Sequence, residues 1–183
     1  MTINLGLFYN DYPKVLEGYS DASWVTNTRD NKSTYGWIFT IARGAVSWAS
    51  KKQTCTTHST MESEFISLAV AGKEAEWLRN LLFDIMLWPQ PMQSLSLYCD
   101  SEVTLSRAYN KVCNGKSRHS LRHEYVKQLI VDGVINIVYV RTNKNRTDHL
   151  TKNLSRDLVK NTSFGMRLKL FINKVTNDGN PTM

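Results

Sequence analysis

The spacing of apolar and polar residues changes period several times along this chain, and each change marks an element. Val15 to Trp24 (VLEGYSDASW) is strand-like, with Tyr19, Asp21 and Ser23 sharing one face by alternation. The loop TNTRDNKST, rich in turn residues, separates it from two further β-rich runs, Tyr35 to Ala42 and Ala45 to Ser50. Arg43-Gly44 between those runs is the two-residue spacing of a hairpin, so three strands follow in meander order. The period then becomes helical. Ser59-Thr60-Met61-Glu62 is a capping-box pattern, and Glu64, Leu68, Ala71, Ala75, Leu78 and Leu82 form one stripe that Trp88-Pro89-Gln90-Pro91 ends. Ser94 to Cys99 predicts a fourth strand running into Asp100, and Ser101 to Tyr109 and Leu121 to Val131 predict helices. Val134 to Val140 predicts a fifth strand and Thr147 to Val159 a closing helix.

The order βββαβααβα implies an α/β fold with a mixed sheet flanked by helices: a three-stranded antiparallel meander plus two further strands. Residues 1–14, with Gly6, Asn10, Asp11 and Pro13, read as a lead-in segment, 15–160 as the domain, and 161–183, ending in TNDGNPTM, as a frayed tail.

A length of 183 residues with 42% apolar residues suits one folded domain and excludes a multi-domain machine. Charges interrupt every apolar run before the roughly 18 residues of a membrane span, and no signal pattern opens the chain, so an intracellular protein is expected. Cys55, Cys99 and Cys113 form no CxxC pair, which argues against a disulfide framework and a cysteine zinc site. Lys and Arg outnumber Asp and Glu by 23 to 16, a net charge of +7 that favours polyanionic partners.

Four acids occupy suggestive places: Asp21 in the first strand, Glu64 near the start of the long helix, Asp100 leaving the fourth strand, and Asp148 opening the last helix. Asp100 is placed where ligands gather, at a strand carboxyl end, but also where an N-cap would stand. Asp148 has dipole stabilisation as its plain alternative, worth about 0.3–1 kcal/mol. Glu62 and Glu64 lie about 200° apart around a helix, so only one can face a site beneath it. Glu62 is placed for the reciprocal capping bond, whereas Glu64 begins the core-facing stripe, where an acid is costly unless paired or bound to a cation. Carboxylates converging without matching His or Cys ligands suit hard cations, Mg²⁺ or Mn²⁺. His119 and His123 lie among Arg118, Arg122 and Lys127, which is more simply a cationic face for phosphates or a solvated helix face.

At this point the chain resembles the ribonuclease H domain of the Pol polyprotein of copia-class LTR retrotransposons. The matching segments run in order: Gly18-Tyr19-Ser20-Asp21-Ala22-Ser23-Trp24, Lys32-Ser33-Thr34-Tyr35-Gly36-Trp37, Ala45-Val46-Ser47-Trp48 with Ser50-Lys51-Lys52-Gln53-Thr54, and Ser59-Thr60-Met61-Glu62-Ser63-Glu64-Phe65. They continue through Lys73 to Arg79, Leu97-Tyr98-Cys99-Asp100-Ser101, Gly115 to His119, and Asp148-His149-Leu150-Thr151-Lys152. Together they cover residues 15 to 160. The resemblance implies a ribonuclease-H-like fold with a five-stranded mixed sheet. It also implies endonucleolytic cleavage of the RNA strand of RNA/DNA hybrids, leaving 3′-hydroxyl and 5′-phosphate ends. It assigns two Mg²⁺ ions, for which Mn²⁺ can substitute, to Asp21, Glu64, Asp100 and Asp148. Lys51, Lys52, Arg118, Arg122 and Lys127 are the candidates for contacts to the hybrid backbone.

The pattern departs from the family at Arg146-Thr147-Asp148-His149, where relatives have an apolar residue and Ala before the acid. The segment from Arg118 to Glu124 is one residue shorter than in relatives. These departures, and the lack of reverse transcriptase, integrase or protease segments, carry the alternative expectation of a catalytically decayed, nucleic-acid-binding remnant. A reverse transcriptase of the same polyprotein is the implied partner, with a cytoplasmic or virus-like-particle setting for an active element.

Overall fold

The computed structural model describes residues 5–7, 9, 15–27, 31–85, 92–110, 120–152, 157, 160, 163–164 and 166–170. Strands β1 (Leu5–Leu7), β2 (Leu16–Asn27), β3 (Lys32–Ile41) and β4 (Gly44–Lys52) precede the long helix α1 (Thr60–Asp84). There follow β5 (Leu95–Cys99), α2 (Glu102–Tyr109), α3 (Ser120–Val131), β6 (Ile135–Tyr139), the short α4 (Asp148–Thr151) and β7 (Leu168–Leu170). The main sheet has the order β4-β3-β2-β5-β6; the meander is antiparallel, and β2, β5 and β6 run parallel to one another. The expected five-stranded mixed sheet with flanking helices is therefore present.

Helix α1 starts as its sequence predicts. The Ser59 hydroxyl accepts from the Glu62 N–H at 3.2 Å, and the Glu62 carboxylate accepts from the His58 N–H at 2.6 Å, one residue earlier than a capping box would place it. The stripe Leu68, Ala71, Ala75, Leu78 and Leu82 is buried against Phe39, Leu97 and Ile135 of the sheet and Val126 and Leu129 of α3. Gly18 makes this packing possible. It lies opposite Phe39 on β3 and Leu97 on β5, and a Cβ there would stand 2.4 Å from Phe39 Cε1 and 2.9 Å from Leu97 Cδ1. The meander turn falls on Ala42-Arg43, both with positive φ, one residue before the expected Arg43-Gly44. Left-handed conformation at both central residues suits a two-residue hairpin, and Gly44 already pairs with Ile41.

The other sheet face is covered more sparsely. Ile38, alternating with Phe39, packs with Ala45 and Met166, and Leu7 and Leu150 close over them. Residues before 15 and after 160 meet here: β1 pairs antiparallel with β7, and the Tyr9 hydroxyl donates to Ala45 O at 2.8 Å. Within the expected closing helix a short helix, Asp148–Thr151, ends at Lys152 in extended conformation and Asp157 is again helical, and the tail's TNDGNPTM lies outside the described residues. No helix among the described residues is long and apolar enough to cross a membrane.

Candidate active site

The first acid is set by strand register. Asp21 sits in the central strand, paired with Gly36, and is 1% exposed. Its backbone carbonyl accepts from the Ser67 hydroxyl of α1 at 2.7 Å, tying the helix to the strand at this residue. Gly36 opens the opposite face: a Cβ there would lie 3.1 Å from Leu150 Cβ and Thr151 Cγ2, so its absence lets α4 lie directly on the sheet. The approach is fixed by Asn145, whose side-chain amide donates to Ser20 O at 3.0 Å while its oxygen accepts from the Thr147 hydroxyl at 2.6 Å. As a result the Thr151 hydroxyl donates to Asp21 Oδ2.

Glu64 reaches the same place from α1 and is 6% exposed, with the Ala22 N–H donating to its carboxylate. Asp100 follows β5 directly. Ser101, not Asp100, caps α2, its hydroxyl accepting from the Thr104 N–H at 3.2 Å, so Asp100 is not used as a cap. Oxygens of Glu64 and Asp100 and the sulfur of Cys99 all lie within 4.8 Å of one another. Asp148 opens α4, and the Lys152 ammonium binds its Oδ1 one turn on and stands 3.9 Å from Asp21 Oδ1.

This crowding of acids perturbs their protonation. Burial pushes Glu64 up to about 9, reinforced by the charges of Asp21 and Asp100. Burial also raises Asp21, opposed by the Thr151 hydrogen bond and Lys152 and reinforced by Asp100 and Asp148. Burial lowers Lys152, but the Asp148 hydrogen bond and the charges of Asp21, Asp148 and Asp100 outweigh it and leave the ammonium above its ordinary range. Two buried oxygens, Asp21 Oδ1 and Glu64 Oε2, have no hydrogen-bond partner. Unpartnered carboxylate oxygens of this kind are costly in a protein interior unless a cation meets them. The available ligands are hard: burial pushes the Cys99 thiol up to about 12, outweighing the Ser101 N–H that its sulfur accepts from, so it stays protonated. A carboxylate donor set with orphaned buried oxygens fits Mg²⁺ or Mn²⁺.

No family model matches the chain. The retrovirus-related Pol polyprotein from transposon TNT 1-94 of Nicotiana tabacum is 32% identical over 144 residues, 78% of this chain and 11% of that protein. The corresponding polyprotein from transposon RE2 of Arabidopsis thaliana is 32% identical over 149 residues, 81% of this chain and 10% of that protein. The chain's homologues are copia-type, retrovirus-related Pol polyproteins. The chain spans about a tenth of the length of these relatives.

In fold the chain is similar to solved ribonucleases H. LC11-RNase H1, isolated from compost, superposes with a TM-score of 0.57 at 16% identity, over 75% of this chain and 93% of that one. The same enzyme in complex with an RNA/DNA hybrid gives 0.52, covering 74% and 92%. Prototype foamy virus protease-reverse transcriptase gives 0.50 at 16% identity, over 84% of this chain and 22% of that one.

The described backbone-contact candidates are Lys51, Lys52, Arg122 and Lys127. Lys51 and Lys52 are exposed at the end of β4, with Lys51 Nζ 5.9 Å from the centre of the Trp37 ring. Arg122 lines a cleft between α1 and α3 with Val70, Lys73 and Tyr125, and its guanidinium reaches Cys55 Sγ at 3.9 Å. Lys127 lines the cleft on the α2 side with Tyr109 and Gln128. The two stand five positions apart on the helix, which turns them to different flanks. Arg118 lies outside the described residues. Residues whose role the sequence reading missed are Ser67, Asn145, Thr151 and Lys152. Of these only Lys152 carried a signal, its i,i+4 spacing from Asp148; the others act through contacts across the fold.

Proposed function

We propose that this domain is a ribonuclease H type endonuclease that hydrolyses the RNA strand of RNA/DNA hybrids. The observation that carries the reading is the convergence of Asp21, Glu64, Asp100 and Asp148, from four separate segments, on one end of the sheet, with two buried oxygens left without a hydrogen bond. These residues would hold two Mg²⁺ ions, with Mn²⁺ as substitute. Such a pair of ions activates a water and stabilises the leaving oxygen of a phosphodiester. The chain's own contribution is positional. Ser67 and Gly36 bring α1 and α4 onto Asp21, and Thr151 holds the orientation of its carboxylate.

Hybrid recognition would rest on helix shape and 2′-hydroxyl contacts and so carry little base specificity, with Lys51 and Lys52 contacting phosphates. A reverse transcriptase from the same polyprotein is the partner this reading implies. The altered setting of Asp148, with Arg146 over the Tyr19 ring at 5.2 Å, favours a second reading as a decayed, nucleic-acid-binding remnant. The test is cleavage of a labelled hybrid with Mg²⁺ or Mn²⁺, beside EDTA and Asp100→Asn controls. Cutting of the RNA strand alone, lost in both controls, supports the enzyme. Hybrid binding without cutting supports the remnant, and neither binding nor cutting overturns both.

A further inference from the structure

The acids divide into two halves that differ in one respect. Asp21 Oδ1 and Asp148 Oδ1 already face a cation, the ammonium of Lys152. Glu64 and Asp100, drawn together with Cys99, include the orphaned Glu64 Oε2 and form no salt bridge among the described residues. An ammonium bound to Asp148 Oδ1 and close to Asp21 Oδ1 takes up the space that a divalent ion, with oxygen contacts near 2.1 Å, would need at the same two atoms. The two cations also repel. Lys152 can leave, because its side chain is 37% exposed and sits on a flexible four-carbon stem at the end of α4.

We propose that Lys152 is a built-in counter-ion that neutralises the Asp21–Asp148 half in the metal-free protein and must swing out before a divalent ion binds there. The two halves then fill unequally: the Glu64–Asp100 half takes the first ion, and the Asp21–Asp148 half takes the second at the cost of displacing Lys152. Lys152 is thus a positioning residue that sets how much Mg²⁺ the domain needs. It also keeps the buried acids from facing one another without a cation when metal is scarce. The inference rests on reading the four acids as metal ligands.

The experiment is a calorimetric titration of the metal-free protein with Mn²⁺, for wild type, Lys152→Met, Lys152→Arg and Asp21→Asn, with thermal unfolding in EDTA measured alongside. Wild type is expected to show a tighter and a weaker step. Lys152→Met should tighten the weaker step about tenfold, because the competing charge is gone, and should unfold at a lower temperature in EDTA. Lys152→Arg, keeping the charge, should retain the weak second step, and Asp21→Asn should lose it. Superimposable isotherms for wild type and Lys152→Met would overturn the role of Lys152 while leaving the metal site standing. Absence of Mn²⁺ binding in both folded proteins would overturn the metal site itself, and this inference with it.

Discussion

Replacing the ionisable carboxyl of Glu64 by a neutral amide should stabilise the metal-free protein, and the gain should grow with pH. Glu64 is buried beside Asp21 and Asp100, and its carboxyl is pushed from 4.5 to about 9. Below pH 4.5 the folded and unfolded chains both carry the proton. Between 4.5 and 9 the unfolded chain ionises while the folded one does not, so stability falls by about 1.4 kcal/mol per pH unit and levels off above 9. From the ordinary and shifted values, the penalty is at most about 1 kcal/mol at pH 5 and about 3 kcal/mol at pH 7. Glu64→Gln has no proton to lose. The difference in unfolding free energy between Glu64→Gln and wild type should therefore rise by up to about 2–3 kcal/mol from pH 5 to pH 7. Urea denaturation in EDTA at the two pH values measures it, and Mg²⁺ should then restore stability to wild type more than to the variant. Parallel pH dependence of the two proteins would refute the argument that burial among acids keeps Glu64 protonated.

Gly18→Ala should destabilise by about 1–3 kcal/mol or more in urea denaturation, because the added methyl meets the Phe39 ring at 2.4 Å. Unchanged stability would mean that Phe39 repacks freely. Thr151→Val removes the hydroxyl that donates to Asp21, which should raise the Asp21 pKa further and weaken Mn²⁺ binding roughly tenfold in calorimetry, with the fold intact by circular dichroism. Replacing Lys51 and Lys52 together by Gln should weaken hybrid binding uniformly across sequences and flatten its salt dependence by up to about 2 in log–log slope, read by fluorescence anisotropy. An unchanged slope would remove both from the phosphate contacts.

The chain's own pattern determined the meander, the long helix and its buried stripe, because period-two and period-3.6 alternation are properties of neighbouring residues and survive without tertiary context. It also separated Glu62, at the helix start, from the buried Glu64, since the angle between two residues on a helix is set by helix geometry alone. A spacing of five positions along the helix was enough to place Arg122 and Lys127 on different flanks, yet charge clustering made them look like one surface. Only the tertiary structure decided what meets what. The pairing of β1 with β7 brings together residues more than 160 positions apart, and no local periodicity signals so short a strand. The hydroxyl of Thr151 on Asp21 depends on an absent side chain at Gly36 and on Asn145 reaching Ser20, contacts that exist only once the sheet is assembled. Likewise the four acids could be chosen one by one from the sequence. Their mutual repulsion, their orphaned oxygens and the ammonium of Lys152 among them are consequences of distance through space, which the order of residues does not contain.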